Sequence, residues 1–289
     1  MALWYLLLSM RPRQWVKNAF VLPALIFSRH LFEFPYLWRS AAAVACFVLL
    51  SGVVYLCNDI FDRDQDRQHP EKRHRPLAAG KVSVALAWAA ALVLLVVALM
   101  AAFSLQRDFG VVAAIYVALN VGYSLKFKHV VLVDVLIVAA GFLLRALGGA
   151  LAIEVFISTW FIICTFMLAL FLAVVKRRQE IVALEEAAGD HRAILKEYSL
   201  PFLDQVISAL TAATLVCYAL YAMGVGDGKG AQMQWTIPFV LYGLLRYLYL
   251  VYHRGHGDDP TAVVWRDRPL QINTLLWLGA CALGLYSTP

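Results

Sequence analysis

Asn58, Asp62 and Asp66 recur every four residues in the segment Asn58 to Val82, NDIFDRDQDRQHPEKRHRPLAAGKV. On a helix each is turned only about 40° from the last, so the three share a face. Three hard oxygen donors in a row suit Mg2+, which prefers oxygen ligands and completes its shell with substrate phosphates. The bases that follow, Lys72, Arg73 and Arg75, supply the counter-charge that a diphosphate needs. An acidic solvated loop would share the composition, but not the pairing of ligand spacing with adjacent cations.

The elements that must position these residues are membrane helices. Of 289 residues, 62% are hydrophobic and only 15% are charged, against about a quarter charged in soluble domains. We expect an all-α integral membrane protein, a single polytopic catalytic domain over residues 1–289. Nine apolar runs approach the roughly 20 residues that cross a bilayer. They lie near 15–34, 36–57, 83–104, 108–125, 130–151, 156–176, 200–222, 234–252 and 270–287. Pro23, Arg29 and His30 interrupt the first, which suggests a tilted or partly re-entrant segment. No cleavable leader is expected, because RPRQWVK follows the first apolar stretch instead of preceding it.

Charge sets the orientation. The N-terminal segment and the connections 58–82, 123–129, 176–199 and 253–268 carry three, six, two, five and three bases, nineteen of the 25 Lys and Arg. By the positive-inside rule that side is cytoplasmic, with the N-terminus inside, in the plasma (inner) membrane of a prokaryote. The opposite connections are short, so the chemistry belongs on the cytoplasmic face. The segment 177–199 is expected to form a short amphipathic surface helix and turn, with Glu185 and Glu186 on a solvated face. The five cysteines lie scattered in apolar runs and read as small buried hydrophobes.

Further polar clusters join the acidic turn. In YSLKFKHVVLVD, Tyr123 could orient a substrate, while Lys126 and Lys128 sit at the membrane surface as phosphate contacts or topology anchors. Asp134 lies inside a span and needs a partner, for which a nearby Lys is the candidate. Arg145 shares a face with Asp134, about 16 Å further along the helix. It could line a cavity, snorkel outward or pair with Glu154, and a structural role is favoured. In KRRQE, Lys176 and Glu180 are one turn apart, and with Arg178 they make an anion site plausible. His191, Arg192, Lys196 and Tyr198 follow. RPRQWVKN brings Lys17 to the same surface. The bases outnumber what one diphosphate requires, so a substrate with a further phosphate, or two phosphorylated substrates, would use the excess.

Together these motifs resemble the UbiA superfamily of intramembrane prenyltransferases, whose first aspartate motif NDxxDxxxD is matched from Asn58 through Asp66. RPRQWVKN, HPEKRHRPLAAG, YSLKFKHVVLVD, GFLLRALGG and KRRQE resemble the decaprenyl-phosphate phosphoribosyltransferase branch. The resemblance implies a UbiA-like helical bundle with a cytoplasm-facing cavity, Mg2+ held by Asn58, Asp62 and Asp66, phosphoribosyl pyrophosphate as donor and polyprenyl phosphate as acceptor. The superfamily's second motif, DxxxD, stands here as KxxxE at Lys176 and Glu180. That exchange suits a donor carrying a 5-phosphate, met by Lys176 or Arg178. Lys17, Arg73 and Lys126 are the other expected phosphate contacts. Prenyl transfer to an aromatic acceptor remains an alternative, and transport a remote one. Nucleic acid is not an expected partner, and a homo-oligomer is left open.

Overall fold

A computed structural model describes residues 2–70, 72–186, 197–225, 233–254, 263 and 266–286. The described residues are helical, in the order α1 (Ala2–Ser9), a 3-10 segment (Pro12–Val21), α2 (Pro23–Phe27), α3 (Phe34–Phe61), α4 (Arg63–Gln68), α5 (Val84–Leu105), α6 (Arg107–Leu125), α7 (Val133–Ala152), α8 (Thr159–Glu186), α9 (Leu200–Ala222), α10 (Ile237–Arg254) and α11 (Arg268–Tyr286). Local chemistry sets several of the starts. Ser83 accepts a hydrogen bond from the Leu86 amide at α5, and Gln106 accepts one from the Phe109 amide at α6. Ser199 caps α9 in the same way, with Pro201 in its first turn.

Among the described residues six helices, α3 and α5 to α9, are long and apolar enough to cross a membrane. The expected count of nine spans is not confirmed by these six. The last two expected spans are helical, as α10 and α11, but polar side chains such as Arg246, His253, Gln271 and Asn273 dilute them. The expected first span is broken: residues 15–34 pass from the 3-10 segment into the five-residue α2, with left-handed backbone at Arg29 (φ 68°). Pro23, which lacks an amide hydrogen, starts a new helix there instead of continuing the old one. A second difference lies in α8. The helix continues through Glu186, so KRRQE sits within it and not at the end of a span. Residues 187–196, with His191, Arg192 and Lys196, lie outside the described residues, as do the side chains of Glu185 and Glu186.

Helix α5 shows how such helices pack. Ala87, Ala91, Ala98 and Ala102 are buried, while Leu92, Val93 and Met100 point outward at 62–66% exposure. Large apolar residues outside and small ones inside suit a helix whose surroundings are hydrocarbon and whose neighbours approach closely.

The chain divides into two compact units, residues 1–128 with 144–156, and 129–143 with 157–289. Helix α7 contributes its first part to one and its second part to the other. The core of the first unit is built on Phe47, Phe109 and Tyr116, from α3 and α6. Two glycines of α7 make room there. A Cβ on Gly148 would stand 2.7 Å from the Phe47 ring, and one on Gly149 would stand 2.0 Å from the Val21 carbonyl oxygen. The second unit packs Phe171 and Val174 of α8 against Leu203 and Ile207 of α9 and Tyr247 of α10.

These spacings predict opposite outcomes for two formally similar substitutions. Gly149→Ala should lower the unfolding temperature in detergent, because backbone must move to admit the methyl group. Gly279→Ala meets nothing within 4 Å and should be neutral or stabilising by up to about 1 kcal/mol through helix propensity.

Candidate active site

The acidic turn is assembled at the end of α3. The helix ends at Asp62 (φ −90°, ψ 3°) and α4 begins one residue later. The break does not interrupt the ladder. The Asp62 amide donates to the Asn58 carbonyl at 2.9 Å, and the Asp66 amide donates to the Asp62 carbonyl at 2.8 Å. Both are helical i to i−4 bonds, so Asn58, Asp62 and Asp66 stay in step across the junction.

Three cations from distant segments converge on the acids of this turn. Lys128 Nζ lies 2.6 Å from Asp62 Oδ1. Arg75 Nη1 lies 2.6 Å from Asp66 Oδ2 and 3.3 Å from Asp59 Oδ1, and so bridges two carboxylates. Arg11 donates to the same Asp59 oxygen, with its guanidinium 4.8 Å above the Tyr55 ring. Asp59, Asp62 and Asp66 are thus matched by Arg11, Arg75 and Lys128. The segment carrying Arg75 is itself fastened down: Arg67 Nε donates to the Ala78 carbonyl, and Gly80 takes the left-handed backbone (φ 71°) that closes the turn.

The ion pairs use one oxygen of each carboxylate. Asp62 Oδ2, Asp66 Oδ1 and the side-chain oxygen of Asn58 have no hydrogen-bond partner among the described residues. These are oxygen donors on a helical ladder, with cations on their other side, and their chemistry fits Mg2+. Among the described residues no group of three His, Cys, Asp or Glu is gathered for a metal; the donor set here is one amide and two carboxylates.

Other expected residues fall at the edges of this arrangement. Lys17 is half-buried in the 3-10 segment, and Tyr123 is half-buried in the last turn of α6. Arg73 and Lys126 are exposed, and Arg73 Nε contacts His74. Neither makes an ion pair among the described residues. Sequence reasoning missed Arg11 and Asp59 as partners. It also chose Arg73 over Arg75, and placed Lys128 on the surface although it is buried against Asp62. The nearly inaccessible Asp59 carboxylate, 2% exposed, lies directly after Asn58 and thus on another face of α3. An acid there demanded buried cations, and that demand was the available signal.

The second unit holds a separate cluster. Asp134, in the first turn of α7, is 0% exposed, and its expected lysine partner is replaced by Arg177 and Tyr198. Arg177 Nε donates to Asp134 Oδ2, and the Tyr198 hydroxyl donates to Oδ1, both at 2.7 Å. The same hydroxyl accepts from the Leu132 amide at 2.7 Å. With both oxygens taken and no exposed surface, Asp134 is an anchor and not the substrate contact expected. Arg177 also donates to Glu180, and Lys176 Nζ stands 4.0 Å from Glu180, as one-turn spacing requires. Arg178 is held as well: its Nε is 2.6 Å from Asp204 Oδ1, and its guanidinium lies 4.1 Å over the Tyr252 ring.

Comparison with known proteins agrees with this architecture. The UbiA prenyltransferase family pattern matches residues 19–285. The decaprenyl-phosphate phosphoribosyltransferase of Mycolicibacterium smegmatis is 33% identical over 295 aligned positions, covering 97% of this chain and 92% of that protein. The Mycobacterium tuberculosis protein of the same name is 34% identical over 278 positions, 93% of this chain and 90% of the other. Among solved structures, a UbiA homologue from Archaeoglobus fulgidus bound to GPP and Mg2+ superposes with a TM-score of 0.73 at 18% identity, over 97% of this chain and 99% of that one. This chain belongs to the UbiA prenyltransferase family and is a multi-pass membrane protein.

Two substitutions should separate anchoring from chemistry. Asp59→Ala leaves Arg11 and Arg75 short of a buried partner and should cost about 3–5 kcal/mol of stability. Asp62→Ala should abolish turnover and cost less stability than Asp59→Ala, because it releases one cation, Lys128, instead of two, and its side chain is 18% exposed against 2% for Asp59. In the second unit, burial and then the hydrogen bond to Asp134 push the Tyr198 hydroxyl well above its ordinary range. Its contribution is therefore complete below the unfolded value near pH 10 and lost as pH rises further. Tyr198→Phe should destabilise by about 1–3 kcal/mol at neutral pH and flatten the alkaline loss expected of the wild type.

Proposed function

We propose that the protein transfers the 5-phosphoribosyl group from phosphoribosyl pyrophosphate to a polyprenyl phosphate, releasing diphosphate. The observation that carries this reading is the row of unpartnered oxygens on Asn58, Asp62 and Asp66, backed by Arg75 and Lys128. It occurs in a chain that aligns at about a third identity, over nearly all its length, with proteins named decaprenyl-phosphate phosphoribosyltransferase. The two alignments support a phosphoribosyl donor over a prenyl diphosphate donor.

Asn58, Asp62 and Asp66 would hold Mg2+, which when bound neutralises charge on the departing diphosphate. Arg75 and Lys128, already aimed at this turn, are placed to share their donors between carboxylate and phosphate. Lys17, Arg73 and Lys126 are proposed as further phosphate contacts, and Tyr123 as an orienting hydroxyl. Arg63 extends this set, since its buried Nε has no hydrogen-bond partner among the described residues. Within the second unit, Lys176 is the base more available to an anionic group than Arg178. Its side chain is 46% exposed and lies at the 4.0 Å limit from Glu180, whereas Arg178 is committed to Asp204 and Tyr252.

A phosphate monoester oxygen of the lipid attacks C1 of the ribose as the C1–O bond to diphosphate breaks. Attack opposite the leaving group inverts C1. The attacking oxygen is ionised at neutral pH, so the protein needs no strong general base. Its contribution is positioning and fixed positive charge aimed at the leaving group. The isoprenoid tail stays among the outward-facing apolar residues, and the working face is the cytoplasmic side of a prokaryotic plasma membrane, where a soluble anionic donor is available.

Membranes carrying the protein should move label from ribose-labelled phosphoribosyl pyrophosphate into the lipid extract when polyprenyl phosphate is supplied. A chelator should stop the transfer and added Mg2+ should restore it. Absence of label in lipid, with transfer of a prenyl group from a prenyl diphosphate to an aromatic acceptor, would replace this reading with the wider family's chemistry.

A further inference from the structure

Arg145 lies inside α7, a membrane span, yet it is buried and hydrogen-bonded within the first unit. Its Nε donates to Asn18 Oδ1 at 2.9 Å and its Nη2 to the Tyr116 hydroxyl at 2.6 Å, with the guanidinium 4.7 Å from the Tyr116 ring. Glu154, one partner considered from sequence, pairs instead with Arg39. Asn18, itself 0% exposed, passes the connection on: its Nδ2 donates to Ser51 Oγ at 3.3 Å, and Ser51 donates to the Val48 carbonyl. One arginine thus ties α7, α6, the 3-10 segment and α3 together. Four residues beyond it, the absent side chain of Gly149 lets the Val21 carbonyl close in at the end of the same segment.

The 3-10 segment is pinned to α3 at two points, Asn18 to Ser51 and Arg11 to Asp59. The pairing runs in opposite directions along the two elements. Seven residues at about 2.0 Å per residue span about 14 Å. Eight residues of α-helix, at about 1.5 Å each, span about 12 Å. The two lengths match closely enough that fixing one contact sets the register of the other. Arg11 itself takes left-handed backbone (φ 52°), a conformation costly for a residue with a Cβ, so it needs an external hold.

We infer that Arg145 is a positioning residue for the acidic turn: by holding Asn18 it sets the register of the 3-10 segment, and through Arg11, Asp59 and Arg75 it fixes Asp66. The connection runs through discrete hydrogen bonds and ion pairs within one unit. Its effect on turnover rests on the transferase reading above; its effect on the acidic turn does not.

Hydrogen exchange of the full-length protein in lipid nanodiscs separates the two. In Arg145→Met, peptides covering 12–21 and 58–68 should both exchange about tenfold faster, while peptides of α5 keep their protection. Arg11→Ala should loosen 58–68 and leave 12–21 protected. Should Arg145→Met fail to fold, Asn18→Ala breaks the same chain and carries the same expectation. Loosening of 12–21 with 58–68 unchanged, or equal loosening everywhere, would overturn the inference. In the label-transfer assay, Arg145→Met and Arg11→Ala should lower kcat/KM by similar factors, and the double variant should lose no more than either. Multiplying losses would contradict a shared route. Lack of any transfer by the wild type would sink the functional reading and leave the exchange result standing.

Discussion

Asp59 places a carboxylate near the end of a helix whose remaining length is built for hydrocarbon, and that charge must be met before the helix can end there. Arg11 and Arg75 meet it. The requirement draws in the rest of the first unit. The chain before α3 must return to deliver Arg11, and the connection after α4 must fold back to deliver Arg75. Because Arg75 also contacts Asp66, itself buried at 4% exposure, neutralising one buried acid organises the other. Removing either partner of such a pair costs far more than the pair contributes net, which makes the arrangement sensitive to single changes.

The acids divide into two kinds by how many donors hold them: two each on Asp59 and Asp134, one each on Asp62 and Asp66. Asp59 and Asp134 are sealed and spend their charge on arginines, so they hold backbone elements together. Asp62 and Asp66 each spend one oxygen on a cation and keep the other unpartnered among the described residues. That division follows from helix geometry, since Asn58, Asp62 and Asp66 follow the ladder and Asp59 is turned off it. The cations share a similar logic. Arg177 and Arg178 are adjacent in sequence, yet they point to Asp134 and Asp204, leaving Lys176 the most accessible base of the three.

Much of this was legible in the residues. Four-residue spacing gave the Asn58, Asp62 and Asp66 face, and hydropathy located most of the membrane helices to within a few residues. The breakdown of the first expected span was visible in Pro23 and Arg29, though not the 3-10 geometry that replaced it. Partner choice was less accessible. Whether Arg73 or Arg75 reaches the acids depends on how the turn ending at Gly80 closes, and whether Asp134 meets a lysine or Arg177 depends on helix packing. Local spacing carries neither. A structural role was favoured for Arg145 with others left open, and its partners lie 29 and 127 residues away, beyond any periodic signal.

The central claim is that the unpartnered oxygens of Asn58, Asp62 and Asp66 hold a divalent cation that also binds diphosphate. Mn2+ substituted for Mg2+ makes this directly measurable by pulsed electron paramagnetic resonance on the purified protein with inorganic pyrophosphate. We expect a phosphorus hyperfine coupling on the bound ion, lost when Asp62 and Asp66 are both changed to Asn. Persistence of that coupling in the double variant, at wild-type strength, would place the cation elsewhere and contradict the account.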